Sequence, residues 1–146
     1  MHNAWVTTSG EKMSKSLGNM VFIRAALNEH SADALRWYLL SFPYRDDFHY
    51  ERKGVVAAEG NVAKLRDALA THGGAALAAI DHAEVRAAFF AALDDDLQTP
   101  LALALLNGLS SDILAAAERD QDVRPAQAAL REIAGVIGFW AAEGGL

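Results

Sequence analysis

The chain has 146 residues, of which 52% are hydrophobic, no cysteine, and a formal net charge of −6. This length suits one domain, or one domain with part of another, and the apolar fraction excludes wholesale disorder. The lack of cysteine excludes disulfides and thiolate metal sites, as is common in cytoplasmic proteins. We expect no membrane association, because no apolar run reaches the roughly 18 residues of a span and residues 1–15 contain no signal-peptide core.

Charge is unevenly distributed along the chain. Residues 1–66 contain 9 lysines and arginines against 7 acids, a net of +2. Residues 67–146 contain 4 against 12, a net of −8. A polyanion such as ATP or nucleic acid would therefore be bound by the first half, since lysine and arginine neutralise phosphates.

The first 30 residues show the signals of a small α/β segment. Residues 5–8 predict a short strand, and Ser9-Gly10 predicts a turn after it. The polar stretch 11–19 predicts a loop. Residues 20–23 are a brief apolar run, and a short helix is expected to follow it as far as residue 28. This segment has too little apolar material to be a domain alone.

Residues 31–146 predict a bundle of helices with short connections. The expected helices are 31–41, 51–72, 82–93, one that starts at Thr99, and 122–140. Ser31 and Thr99 are the expected N-caps, Pro100 the first residue of its helix, and Gly73-Gly74 a helix terminator. Helical spacing predicts a core of Leu35, Tyr38 or Leu39, Phe42, Val55, Ala58, Val62, Leu65, Leu69, Val85, Phe89, Leu93, Leu101, Leu105, Leu109, Ile113, Leu130, Ile133, Ile137 and Trp140.

The predicted fold class is therefore mainly α. A short α/β remnant, residues 1–30, would be followed by an antiparallel helical bundle, residues 31–146. The remnant would be the end of a larger α/β domain.

The clearest chemical signal is Lys12-Met13-Ser14-Lys15-Ser16 in the polar loop. Two ammonium groups three residues apart on a flexible loop suit a polyphosphate, because ammonium is a compact charge with three donors. The serine hydroxyls can add hydrogen bonds. A lone Lys-x-x-Lys would more simply be a solvated surface loop, so the surrounding sequence decides between the two interpretations.

These five residues resemble the Lys-Met-Ser-Lys-Ser signature of class I aminoacyl-tRNA synthetases. Glu11 before them, Leu17-Gly18-Asn19 after them, and residues 2–6 (HNAWV) resemble the cysteinyl enzymes. In that family the loop closes on Mg-ATP, the cysteine carboxylate attacks the α-phosphorus, and pyrophosphate leaves. The resemblance implies that Lys15 stabilises the developing phosphate charge and that Lys12 helps to hold the loop closed, with Met13, Ser14 and Ser16 completing the ATP-binding loop.

Further resemblances extend along the chain. Asp33-Ala34-Leu35-Arg36 resembles the Asp-Ala-Leu-Arg helix start of the DALR, or anticodon-binding, family. Tyr44-Arg45 and residues 93–100 (LDDDLQTP) resemble the Tyr-Arg pair and the Met-Asp-Asp-Asp-Phe-Asn-Thr-Pro turn of the cysteinyl bundle. The resemblance implies tRNA(Cys), ATP and cysteine as partners, and a cytoplasmic location.

Several polar residues in these segments have simpler interpretations. We expect Arg36 to form an ion pair or to pack, and Asp94–Asp96 to cap and turn the chain rather than bind Mg²⁺. Arg45, Arg52 and Lys53 suit either tRNA phosphates or a solvated face. The histidines show no metal-ligand spacing, so we expect solvated or capping roles for His2, His30, His49, His72 and His82.

The match also has departures. Pro43 stands where the family has histidine, and Ala4 where it has glycine. Nothing matches the His-Ile-Gly-His signature, the zinc site or the small anticodon-reading domain. Zinc is therefore expected only in the part of the family's full-length enzyme that this sequence does not include. We expect a fragment or truncated homologue of a cysteinyl-tRNA synthetase that is inactive alone.

Two alternatives remain open at this point. One is the cysteine ligase of mycothiol synthesis, which shares the loop. The other is a non-catalytic helical module that binds tRNA or a protein. In the fragment interpretation, Trp5, Val6 and residues 20–23 should form an exposed apolar surface, or be covered by a dimer or a partner.

Overall fold

The computed structural model describes residues 4–8, 11–77 and 79–139, and it is mainly helical. Its helices are α1 (Ile23–Leu27), α2 (Ala32–Leu40), α3 (Arg52–Ala70), α4 (His82–Asp94), α5 (Thr99–Ala117) and α6 (Arg124–Val136). Its short strands are β1 (Val6–Thr8), β2 (Glu11–Lys12), β3 (Phe48–His49), β4 (Ala76–Leu77) and β5 (Gln121–Asp122). The predicted mainly α fold class is confirmed.

Helices α2 to α6 pack around one apolar core. Helix α5 lies at its centre and contacts α2, α3, α4 and α6. Full burial of an aliphatic or aromatic side chain stabilises a fold by about 1.5–3 kcal/mol, so this core supplies most of the stability. Its fully buried large side chains include Val55, Val62, Leu65, Phe89, Leu106, Leu109, Ile113, Leu130, Ile133 and Phe139.

Most of the predicted core residues are buried or half-buried, with some corrections. Leu101 is 47% exposed, because the first buried residue of α5 is Ala102. The buried face of the helix continues through Leu106 to Ile113. Of the alternatives at the α2 face, Tyr38 is buried and Leu39 is exposed. The prediction for Trp140 lies outside the described residues.

The predicted cap at Ser31 is confirmed. Ser31 Oγ accepts a hydrogen bond from Ala34 N at 3.1 Å, which satisfies one of the free amides of the first turn of α2. Ser31 N and Oγ in turn donate to the Glu59 carboxylate at 2.8 and 2.9 Å. The start of α2 is thereby tied to the middle of α3.

The predicted cap at Thr99 is wrong by one residue. Gln98 is the N-cap, Thr99 is the first residue of α5 and Pro100 the second. The cause is the preceding turn, in which Asp96 and Leu97 both have φ of 53°. This left-handed pair reverses the chain so sharply that the helix begins one residue earlier than the Thr-Pro signal indicates.

Gly73 and Gly74 do not end a helix, as was predicted, but allow two segments of the chain to pack closely together. Helix α3 already ends at Ala70, two residues before its predicted end. A Cβ at Gly73 would lie 1.9 Å from Gln121 O, and one at Gly74 2.1 Å from Asp120 O. These glycines let the chain approach the β5 segment, which pairs with β4 in parallel.

A three-stranded sheet with the order β2-β1-β3 lies beside the bundle. Strand β1 pairs antiparallel with β2 and parallel with β3, with Val6 opposite Phe48 and Thr7 opposite His49. The sheet therefore joins the first 30 residues to a segment that follows α2.

Among the described helices, α5 is long and apolar enough to cross a membrane by length and composition alone. The expectation that no apolar run reaches that length stands, because Asn107, Ser110 and Asp112 interrupt the apolar residues of α5. The bundle core accounts for the composition, since Leu103, Leu106, Leu109 and Ile113 of α5 are buried in it.

Candidate functional site

The loop signature begins on a β-hairpin and continues into the turn that follows it. Strands β1 and β2 place Thr7 opposite Lys12 and Thr8 opposite Glu11. Met13 N donates to Val6 O at 3.0 Å and extends the pairing into the loop. Residues 11–12, expected to be loop, are therefore strand.

Asn19 closes this loop on itself. Its Oδ1 accepts from Ser14 N at 2.9 Å, and its Nδ2 donates to Lys12 O at 3.2 Å. Ser14 Oγ accepts from Leu17 N at 3.3 Å and lies 3.2 Å from Ser16 Oγ. From the sequence, Asn19 is predicted only to flank the signature. Its amide, which can donate and accept at once, was the available signal for a loop-closing role.

The two lysines of the signature lie in different environments. Lys12 Nζ lies 2.9 Å from the centroid of the Trp5 ring, a cation–π contact. Lys15 is exposed, at the start of a turn that Gly18 N closes by donating to Lys15 O at 3.2 Å. Gly18 has φ of 66°, which favours glycine. The loop thus presents Lys15 to solvent and rests Lys12 against an aromatic ring.

A polar cluster of Tyr44, Arg45 and Asp96, which we call the clasp, was not predicted. Arg45 Nε and Nη2 donate to the two Asp96 oxygens at 2.6 and 2.8 Å, and Tyr44 Oη donates to Asp96 Oδ1 at 2.6 Å. Arg45, and then Tyr44, lower the pKa of the Asp96 carboxyl to about 2. Asp95 and Asp96 lie in the expected turn, whereas Asp94 is the last residue of α4. Asp96 also bridges to the segment after α2.

The other basic candidates are paired with acids. Arg36 Nη1 and Arg66 Nη2 each lie 3.5 Å from the buried Asp33 carboxylate, which confirms the ion-pair interpretation of Arg36. Arg52 lies 2.9 Å from Glu29, and Lys53 lies 3.3 Å from Glu51. Their side chains are 70% and 80% exposed, so these pairs are weak and can exchange for other anions.

The described histidines differ in their surroundings: two lie near a polar atom, one is exposed, and one has a buried nitrogen without a hydrogen bond. His49 Nδ1 lies 3.2 Å from Thr7 Oγ1, His82 Nδ1 lies 3.2 Å from Ile80 O, and His72 is exposed. His30 departs from the expectation, because its Nε2 is buried without a hydrogen-bond partner. His2 lies outside the described residues.

Zinc does not fit the residues that the structure describes. Within residues 4–8, 11–77 and 79–139, no three His, Asp or Glu side chains come together in a group that could hold a metal ion. The sequence has no cysteine that could supply a thiolate.

Apolar side chains are exposed around the hairpin and α1, as the sequence predicted. Trp5 is 56% exposed, Phe22 61% and Ile23 71%, whereas Val6 is half-buried. The short helix expected after the loop is present as α1, which begins at Ile23 with Phe22 as its N-cap.

Comparison with known proteins agrees with this arrangement of hairpin and bundle. A family model described as tRNA synthetases class I (C) catalytic domain matches residues 1–60, and a DALR domain model matches residues 88–141. The cysteine–tRNA ligase of Alkalilimnicola ehrlichii is 41% identical over 141 residues. The chain belongs to the cysteinyl-tRNA synthetase family.

Two more members of the family show the extent of the match. The cysteine–tRNA ligases of Thioalkalivibrio sulfidiphilus and Haemophilus influenzae are 38% and 35% identical and cover 98% and 95% of this chain. All three alignments cover 30–31% of the relative's length. The chain therefore spans about 30% of the curated cysteinyl-tRNA synthetases that it matches.

Proposed function

We propose that this chain contributes the ATP-phosphate loop and the tRNA-contacting bundle to the ATP-dependent ligation of cysteine to tRNA(Cys) in the cytoplasm. The observation that supports this most is the loop of residues 12–19. Asn19 braces its backbone, and Lys15 is exposed at its turn. A braced loop with an exposed ammonium holds a charge in place before the phosphates arrive, which is how an enzyme stabilises developing charge with little reorganisation.

In this reaction each loop residue has a separate role. Lys15 donates to the phosphate oxygens as negative charge moves toward the departing pyrophosphate. Lys12 leaves the Trp5 ring and holds the closed loop on the phosphates. Ser14 and Ser16 lie 3.2 Å apart through their hydroxyls, which can turn toward a phosphate oxygen, and Met13 holds the backbone to β1.

The bundle would meet tRNA through exposed arginine and lysine side chains. Arg52 and Lys53, at the start of α3, are the most exposed of the basic candidates. Their acidic partners are also partly exposed, so phosphates can displace them at small cost. Binding of tRNA(Cys) should therefore weaken steeply as salt increases.

The first experiment titrates ATP into the 146-residue chain and follows the loop amides by NMR. We expect shifts at residues 12–19, and about two- to five-fold weaker ATP binding in Lys15→Ala, the range for loss of an exposed ionic contact. Lys53→Ala is the matched control and should bind ATP as the wild type does. Shifts outside the loop with no response to Lys15→Ala would contradict the proposal.

A second assay measures the reaction itself. We expect no cysteine-dependent ATP–pyrophosphate exchange from the 146-residue chain, because nothing in it matches the His-Ile-Gly-His signature. Exchange by this chain alone would refute that expectation. If tRNA(Cys) binds and Lys15→Ala changes neither ATP nor tRNA binding, a non-catalytic binding module becomes the better description.

A further inference from the structure

The clasp ties the α4–α5 turn to the segment that holds strand β1. Residues 43–47 carry Tyr44 and Arg45, and the same residues bind the chain at the start of β1. Tyr44 O accepts from Ala4 N at 2.8 Å, and Asp47 Oδ1 accepts from Trp5 N at 2.6 Å. A displacement of Asp96 is thus transmitted to β1 through one short segment.

Strand β1 is held by hydrogen bonds more than by packing. A cavity of about 460 Å³ separates it from the bundle, between Val6 on the strand and Leu40, Phe42 and Leu97 on the bundle side. A second hollow of about 580 Å³ shares Tyr44 and Leu97 with the first and is also lined by Arg45 and Asp96. Of the clasp residues, Tyr44 lines both spaces, whereas Arg45 and Asp96 line only the second. Where side chains do not fill the space, position depends on directional bonds.

The path from the clasp to the signature lysines consists of consecutive bonded steps. Beyond Trp5, Val6 O accepts from Met13 N at 3.0 Å, and Thr7 pairs with Lys12 across the hairpin. Lys12 Nζ also lies over the Trp5 ring. The backbone amide of Trp5 in turn donates to Asp47. The bundle and the loop are therefore connected at the residue on which Lys12 rests.

We propose that the clasp positions the hairpin, so that Asp96 and Arg45 set the placement of Lys12 and Lys15 relative to the bundle. The part of this inference that concerns phosphate rests on the proposed function. Asp96 and Arg45 are positioning residues, because they act on the lysines through β1.

Asp96→Asn is the suitable test variant. Asparagine, like aspartate, tolerates the left-handed conformation at this position, so the substitution removes the charge without straining the turn. The matched control is Glu132→Gln, because Arg86 donates to both Glu132 oxygens at 2.8 and 2.6 Å in another exposed pair, which joins α4 to α6.

The first measurement is amide hydrogen exchange by NMR. In Asp96→Asn we expect the amides of Ala4, Trp5 and Met13 to exchange about two- to five-fold faster, the range for loss of an exposed ion pair. The amides of the bundle core should be unchanged, as should the hairpin in Glu132→Gln. Hairpin exchange equal to that of the wild type, or a rise shared by the bundle core, would overturn the proposal.

The second measurement is affinity for tripolyphosphate, followed at the loop amides. Asp96→Asn should bind about two- to five-fold more weakly, and Glu132→Gln as the wild type does. If Asp96→Asn does not fold, Arg45→Lys is used in its place. Lysine keeps the positive charge but cannot form the bidentate contact with Asp96. An unchanged affinity in the variant would overturn the positioning role.

The two proposals fail in different ways. A wild-type chain that binds no tripolyphosphate contradicts the proposed function. In that case hydrogen exchange by itself tests whether the clasp positions the hairpin. Tripolyphosphate binding with hairpin exchange insensitive to Asp96→Asn contradicts the clasp and leaves the proposed function standing.

Discussion

The bundle and the hairpin loop are held in place by different forces. In the bundle, side chains such as Leu65 and Leu106 are fully buried, whereas near the loop Trp5 is 56% exposed and Leu17 59%. Burial of apolar surface is not directional and accumulates, while a hydrogen bond fixes geometry and adds little net stability. The bundle can therefore supply the free energy of folding, and the loop can rearrange around a ligand without unfolding it.

The strongest test of this contrast is a pair of identical substitutions in one helix. Leu106→Ala removes a fully buried side chain of α5 and should lower the free energy of unfolding by about 2–5 kcal/mol. Leu101→Ala removes a side chain that is 47% exposed and should cost less than about 1 kcal/mol. Urea unfolding measures both. Equal losses would mean that α5 does not pack in the register described above.

A smaller effect is expected where a hydrogen bond, rather than apolar burial, joins two helices. Ser31→Ala removes the α2 cap and the hydroxyl that donates to Glu59 on α3, although the backbone amide of residue 31 still donates to that carboxylate. Unfolding should therefore become easier by about 1–2 kcal/mol. Ser111→Ala is the control, because its hydroxyl is exposed and should change stability by less than about 0.5 kcal/mol. A Ser31→Ala variant as stable as this control would show that the cap contributes nothing.

The same contrast explains how much the sequence could predict. Helices, the Ser31 cap and most of the core follow from local spacing, because burial along one helix depends on residues three or four apart. Leu101 was misplaced because the register of α5 is set by the left-handed turn at Asp96 and Leu97, which no periodicity reveals. The loop signature was recognisable as a motif, and its residues lie at the end of β2 and in the turn that follows it.

What the sequence could not indicate are the pairings over long separations. Strand β3 pairs with β1 across about 40 residues, and only two of its residues take part. The clasp joins Arg45 to Asp96 across 51 residues. Contacts of this kind depend on the completed packing of α2 against α3 and of α4 against α5, so a local pattern carries no signal for them.

The contact between Lys12 and Trp5 predicts a modest effect on ligand binding. If Lys12 must leave the ring to reach phosphate, Trp5→Leu removes a competing interaction worth about 0.5–1 kcal/mol at an exposed site. Affinity for tripolyphosphate, measured by calorimetry, should then rise about two- to five-fold. The increase should vanish in Lys12→Met, which has no ammonium to release. A weaker affinity in Trp5→Leu would instead mean that the ring holds Lys12 in its binding position.

The smallest expected effect is on the response of the hairpin to acid. The pKa of Asp96 lies at about 2 in the folded chain against an ordinary value of 3.8, because Arg45 and then Tyr44 donate to its carboxylate. A lowered folded-state pKa means that the clasp contributes fully above the ordinary value and is lost as pH falls through about 2. The Ala4 amide shift should follow that titration, because Ala4 N donates to the backbone oxygen of Tyr44, whose hydroxyl donates to Asp96.

Carboxyl carbon NMR of wild type and Arg45→Gln checks this assignment. In the variant the pKa of Asp96 should rise toward 3.8, while Asp122, whose pKa Arg124 lowers to about 2, should be unaffected. An Asp96 that titrates near 3.8 in the wild type would show that the clasp is open in solution. The hairpin would then be held by the backbone pairing of β1 with β3 and by the hydrogen bonds of Ala4 and Trp5 to residues 43–47, without the clasp. The contrast between the two regions would be sharper than the structure indicates.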